Sequence, residues 1–195
     1  MNPGISYPLA CRLASIAEQR AAVIGTPMTI ALVDPQGGLL YFGRMDDALP
    51  ASDKIAAAKA YSAAIFRMST RQLGALAQPG EMLYGIENSM HEKIVLFGGG
   101  VPLFFEERVV GAVGISGGTV DEDIDVAQAV CDAFQEMLKW RRRLMILLPK
   151  QTESTTSGKD MAQAIERQLE QSTDPALNQL ASIVAGGVLL ADFPG

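Results

Sequence analysis

The sequence holds little of what most enzyme and metal chemistry needs. It has one histidine, His91, and two cysteines, Cys11 and Cys131, among 195 residues. Without a CxxC pair, zinc sites of the usual kind are excluded. There is no Walker A signature, no GxGxxG fingerprint and no HExxH pair. There is no GxSxG elbow either; Ser116, in Gly114-Ile115-Ser116-Gly117, stands one residue short of one. No window approaches the ~20 apolar residues of a membrane span. The chain does not begin with a charged stretch followed by an apolar one, so no signal peptide is read. These absences place the chain in a reducing cytoplasm. The net charge of -6, with acidic residues scattered, would repel a phosphate backbone, so neither nucleic acid nor membrane is expected as a partner. The basic run Arg141-Arg142-Arg143 is too short to reverse this and reads as a helix C-terminus answering the macrodipole.

What is present is a core. Apolar residues make up 48% of the chain, which argues against disorder and allows one domain with an appendage. Leu9, Leu13, Ile16, Arg20 and Val23 recur at helical spacing over 6–24, and Gly25 and Pro27 end the helix. The runs 29–33 and 39–45, joined by Asp34-Pro35-Gln36-Gly37-Gly38, predict a hairpin. The segment 50–69 predicts an alanine-rich helix, with Ser52 as N-cap, that lies close on a sheet or another helix. A further short helix follows to Ala77, broken by Pro79-Gly80. Residues 81–92 read as loop and 93–97 as a short strand. Strands are then expected over 102–105 and 108–115, joined at Glu106-Glu107, with Gly111 and Gly114 marking close backbone approach. Thr119-Val120-Asp121-Glu122 is a capping box, and Ile124, Ala127, Cys131, Phe134 and Leu138 form the stripe of the helix it opens. Cys131 on that stripe reads as a small buried apolar residue.

Composition shifts after Leu148. Residues 1–148 form the expected domain, 149–158 a polar Ser/Thr-rich linker, and 159–195 an amphipathic helical extension. Leu177, Leu180, Val184 and Val188 make an apolar stripe there that needs a surface to cover it.

The glycine clusters Gly98-Gly99-Gly100 and Gly117-Gly118 bracket a strand pair. They can form an anion nest or admit a flat ligand; tight turns and close packing are the plainer reading. His91 reads as an exposed loop histidine.

Taken in order, Val33-Asp34-Pro35-Gln36-Gly37-Gly38, Arg44-Met45-Asp46-Asp47-Ala48, Ala58-Lys59-Ala60, Ser69-Thr70, Gly98-Gly99-Gly100-Val101-Pro102-Leu103 and Val110 to Gly118 with Asp123 resemble the GlcG/HbpS-like family over residues 5 to about 140. The family includes haem-binding proteins and the C-terminal domains of PduO-type cobalamin adenosyltransferases. The resemblance implies an α/β (α+β), profilin-like antiparallel sheet flanked by helices, in a homo-oligomer, often an octamer. It implies haem as a cofactor in some members, but no common reaction. The matching motifs offer Asp34, Arg44, Lys59, Thr70, Gly99, Gly100 and Ser116 as ligand-binding positions. They contain no histidine, so an axial haem ligand would come from His91, Cys11, Met45 or the weak oxygen donor Thr70. Glu106-Glu107 stands where family members usually carry glycine, so a non-glycine residue would hold positive φ there or the turn is of another type.

Three functions compete. One is a binding accessory protein for haem, a corrinoid or a related small molecule. The second is an enzyme of small-molecule catabolism with Asp34, Arg44 and Lys59 in a cleft. The third is an interaction module that residues 159–195 recruit to a protein partner, a microcompartment or an enzyme complex. The poor acid–base inventory and the glycine-lined strands favour the first.

Overall fold

A computed structural model describes residues 4–90 and 94–147. Helix α1 spans Tyr7–Ile24, with the Ser6 hydroxyl accepting from Leu9 N and Gly25 closing it in the left-handed region at φ 81°. Strands β1 (Thr29–Val33) and β2 (Leu39–Arg44) form the expected hairpin. Helices α2 (Ser52–Phe66) and α3 (Thr70–Leu76) follow. Strands β3 (Gly100–Phe105) and β4 (Arg108–Ser116) make the second hairpin, and α4 (Val120–Leu147) completes the described chain. The sheet is antiparallel in the order β2-β1-β4-β3. It is an α+β sheet with helices on both faces. The linker 149–158 and the extension 159–195 lie outside the described residues.

The period-2 alternation of the strands sorts the core into two layers. Ile30, Leu32, Leu103, Val113 and Ile115 face α1 and α4, where they meet Leu9, Leu13, Val126, Val130 and Phe134. Ala31, Val33 and Ala112 face α2, where they meet Ala56, Ala60, Ala63 and Ala64. Four alanines of α2 are thus packed on the protein's own sheet. Gly114 shows how close that contact is: a Cβ there would collide with Ala56 O and Ala60 N.

Several local expectations are corrected. Ser52 is not a cap; the cap is Ala51, and the Ser52 hydroxyl donates to Leu49 O and bonds Thr29 Oγ1 at 2.6 Å. The helix stops at Phe66 because Arg67 turns left-handed at φ 55°. Residues 94–97 form no strand; Val95 N instead donates to Ser62 Oγ on α2. The stretch expected as loop contains a single 3-10 turn, Ile86–Asn88. Glu106, the hairpin residue where glycine is usual, does hold positive φ, 55°. The arginine run is not the end of α4, which continues to Leu147.

Candidate functional site

Strand β3 is an edge of the sheet, and the two helical layers rise on either side of it. The space between them is a groove of about 610 Å³. Gly99, Gly100, Val101, Pro102 and Phe104 form its floor. One wall is Arg67, Met68, Ser69, Arg71 and Gln72; the other is Ile124, Gln128 and Cys131 of α4. A capping box builds the first wall. Ser69 Oγ accepts from Gln72 N, and the Gln72 carbonyl accepts from Ser69 N, which fixes the start of α3 and holds Arg67 and Arg71 on either side of it. Both arginines are exposed, and among the described residues no acid lines the groove.

An open strand edge normally invites another strand. This one is largely closed. Ile115 N donates to Gly99 O, so antiparallel alternation turns the backbone groups of Gly100 and Pro102 outward. Gly100 N is taken by Thr70 Oγ1 at 3.0 Å, Pro102 has no N–H, and Phe104 O accepts from Gln135 Nε2 at 2.8 Å. The groove therefore suits a compact ligand better than an added strand.

Behind the floor lies a buried ion pair. Lys59 is fully buried; its Nζ donates to Asp123 Oδ2 at 2.6 Å and to Ile115 O at 2.9 Å, and stands 4.7 Å from the centre of the Phe97 ring. Asp123 Oδ1 accepts from Gly118 N. Burial pulls the Lys59 ammonium below its ordinary value and pushes the Asp123 carboxyl above its own, each opposed by the charge of the other. Gly99, at φ 110°, makes the room: a Cβ there would stand 2.7 Å from Lys59 Nζ and 2.9 Å from Asp123 Cβ.

The candidate positions do not converge. Gly99 and Gly100 line the groove, Thr70 is fully buried against Gly100, and Ser116 is buried at the end of β4 opposite Thr29. Asp34 caps the first hairpin, its Oδ1 accepting from Gln36 N and Gly38 N at 2.8 Å each. Arg44 pairs with Asp53 at 3.3 Å on the surface, at the other end of β1, a strand length of roughly 16 Å from Asp34. Asp34, Arg44 and Lys59 thus share no cleft. Met45 accepts from Met28 N at 3.5 Å and packs against the α1/α4 core. Cys11 is a half-buried free thiol on α1. His91 lies outside the described residues. Cys131 is only half-buried and lines the groove, because it stands at the flank of the buried face of α4, which centres on Val126, Ala127, Val130 and Phe134. Burial first, then the Asp132 charge, pushes its thiol up. Sequence reasoning missed Arg67, Met68, Arg71 and Gln128. The signal for the first three was the Ser69-to-Gln72 capping box between two arginines four residues apart.

Residues 5–132 match the family model described as haem degrading protein HbpS-like. The chain belongs to this HbpS-like family. It is 39% identical over 133 residues to a 15.0 kDa protein of the dhaT-dhaS intergenic region of Citrobacter freundii, covering 68% of this chain and 94% of that one. It is 38% identical over 130 residues to the corrinoid adenosyltransferase PduO of the same organism, covering 67% of this chain but 39% of PduO. A solved complex of PduOC with haem superposes with a TM-score of 0.64 at 36% identity, over 67% of this chain and 94% of that one. Among the described residues, no helix is long and apolar enough to cross a membrane.

Proposed function

We propose that the chain is a haem-binding accessory protein and that the groove along β3 takes the haem. The observation that carries this is the lining itself: an apolar floor of Val101, Pro102 and Phe104 with Met68 and Ile124 beside it, two arginines and, among the described residues, no acid. About 610 Å³ lies within the roughly 300–1,000 Å³ of small-molecule sites. Met68 and Cys131 are sulfur donors of the kinds that hold haem iron. Met68 needs no proton loss, whereas the raised Cys131 thiol does, so Met68 is the better donor at neutral pH. Arg67 and Arg71 suit two carboxylates at the groove mouth. A corrinoid, whose ring substituents are mostly neutral amides, would leave these charges unanswered, so haem is favoured over it. Bound haem supplies iron-centred redox chemistry. The chain's part is to bind the edge carboxylates, exclude water with Val101, Phe104 and Ile124, and offer sulfur. The haem complex of PduOC and the family description support the reading.

Haemin titration tests it. A Soret band that saturates at a fixed stoichiometry per chain is expected. Reversing both Arg67 and Arg71 to Glu should weaken binding by about tenfold or more, and Met68→Ala should shift the band. The absence of a saturable band in the unaltered protein overturns the reading. A homo-oligomer, with the octamer as first expectation, belongs to the same proposal; the exposed Leu39 and Phe42 on the β2 edge favour it. A monomer mass by light scattering at micromolar concentration would remove that part.

A further inference from the structure

The Lys59–Asp123 pair lies outside the groove lining, yet it stands directly behind Gly99 of the floor, and Asp123 belongs to the α4 wall. Lys59 belongs to α2, Asp123 to α4, and these helices cover opposite faces of the sheet. The pair joins the two layers around the end of the β3–β4 hairpin. Two contacts then hold the floor at Gly99, Ile115 N to Gly99 O at 2.8 Å and Lys59 Nζ to Ile115 O, and a third, Gly118 N to Asp123 Oδ1 at 3.2 Å, fixes the turn from β4 into α4. All three ammonium protons have an acceptor: a carboxylate, a carbonyl and the Phe97 ring face. Gly100 is held from the other side by Thr70. Next along α4 from Asp123 comes Ile124, and two turns on comes Cys131, both groove residues.

We propose that Lys59 and Asp123 are positioning residues that set the spacing between the glycine floor and the α4 wall of the groove. A purely hydrophobic replacement can keep the layers together, but it cannot reproduce the bond to Ile115 O, whose own N–H holds Gly99 of the floor, or the bond from Gly118 N that fixes the entry to the α4 wall. Desolvation of both charges makes the arrangement costly unless every partner is present, which fits a site built for geometry rather than for stability.

The two free cysteines supply the test. Cys131 lines the groove; Cys11, on α1, is an internal reference. Lys59→Met leaves a buried carboxylate without its cation and should lower the melting temperature sharply. Lys59→Met with Asp123→Leu removes both charges and should recover much of that loss. In the double variant, iodoacetamide should still alkylate Cys131 about tenfold faster than in the unaltered protein, with the Cys11 rate unchanged. Haemin should also bind more weakly, with a displaced band. The haemin arm rests on the proposed function; the alkylation arm does not, so a chain that never binds haemin removes that function while the Cys131 rate still decides the role of the pair. A double variant with recovered melting and the original Cys131 rate overturns the proposal. Failure of both variants to fold overturns it too, since the pair would then be part of the core rather than a device set upon it.

Discussion

The two faces of the sheet are built on opposite plans. Under α1 and α4 the contacts are large: Leu9, Leu13, Ile30, Leu32, Leu103 and Phe134, all essentially fully buried. Under α2 they are small: Ala31, Ala56, Ala60, Ala63, Ala64 and Ala112, with Gly114 between them. Large side chains supply most of the burial free energy, at ~25 cal/mol per Å² of apolar surface. Alanine and glycine supply little of it but bring two backbones close together. The face that contributes less burial carries the polar detail: Thr29 with Ser52, Ser62 with Val95 N, Lys59 with Asp123. One face stabilises the fold and the other sets its dimensions. The groove lies where both faces meet the β3 edge, with α4 as one wall and the joint after α2 as the other.

The largest expected effect tests this division by adding one methyl group. Gly114→Ala puts a Cβ into Ala56 O and Ala60 N. Both are helix backbone, so α2 must lift off a central strand. The expected cost exceeds about 4 kcal/mol, enough to unfold much of the domain at ordinary temperature. Chemical denaturation measures it, and a Gly114→Ala protein of near-normal stability would show that α2 is free to slide. Next comes the opposite change on the other face. Phe134→Ala empties a fully buried benzyl site and should cost about 3–5 kcal/mol. The comparison would invert if removing this ring cost less than adding the methyl at an edge.

That edge is the third case. Gly100→Ala places a Cβ 2.5 Å from Lys59 O and 2.6 Å from Thr70 Cγ2. The collision resembles that at Gly114, but β3 is an edge strand paired with β4 alone and shifts more easily than a central strand. A cost of about 1–3 kcal/mol is expected, with a disproportionate loss of haemin affinity because the groove floor moves. Unchanged affinity in a destabilised Gly100→Ala protein would separate the floor from the ligand site.

Much of this plan was legible in the chain. The hairpin at Asp34 to Gly38, the capping box at Thr119 and Glu122, and the stripe from Ile124 to Leu138 are local signals, and the structure realises each of them. Gly114 was legible as a point of close approach. What stayed hidden depends on tertiary neighbours. Lys59 looked like a polar group in a cleft because nothing within a few residues reveals a partner 64 positions away. Ser52 looked like a cap because its partner Thr29 is on strand β1, 23 positions away. Cys131 looked fully buried because helical spacing gives the side of a helix but not how wide its covered face is. The groove opens along that margin, and its arginines flank a helix start, Arg67 in the joint before α3 and Arg71 in its first turn, that periodicity does not describe.

The smallest effect sharpens the comparison at its outer margin, where the α1 face meets solvent. Tyr41 lies on the edge strand β2 and donates its hydroxyl to Glu18 Oε1 of α1 at 3.0 Å. Burial first, then this hydrogen bond and the Glu18 charge, push the phenol from 10.0 up to about 12. A group whose folded value is raised contributes stability that is complete below its unfolded value and is lost as pH rises through the folded one. The contribution of Tyr41 is therefore intact below about pH 10 and disappears toward pH 12. Because this ring is partly exposed, the effect on melting should be modest. Tyrosinate absorbance should show Tyr41 lagging as pH rises, beside Tyr7, whose phenol is also raised, by its hydrogen bond with Cys11, among the four tyrosines. Glu18→Gln keeps an acceptor for the hydroxyl and removes the charge, so the lag should shorten without vanishing, since burial is the larger cause. A lag erased entirely by Glu18→Gln would make the carboxylate the main cause and would place Tyr41 in water, outside the large-residue face.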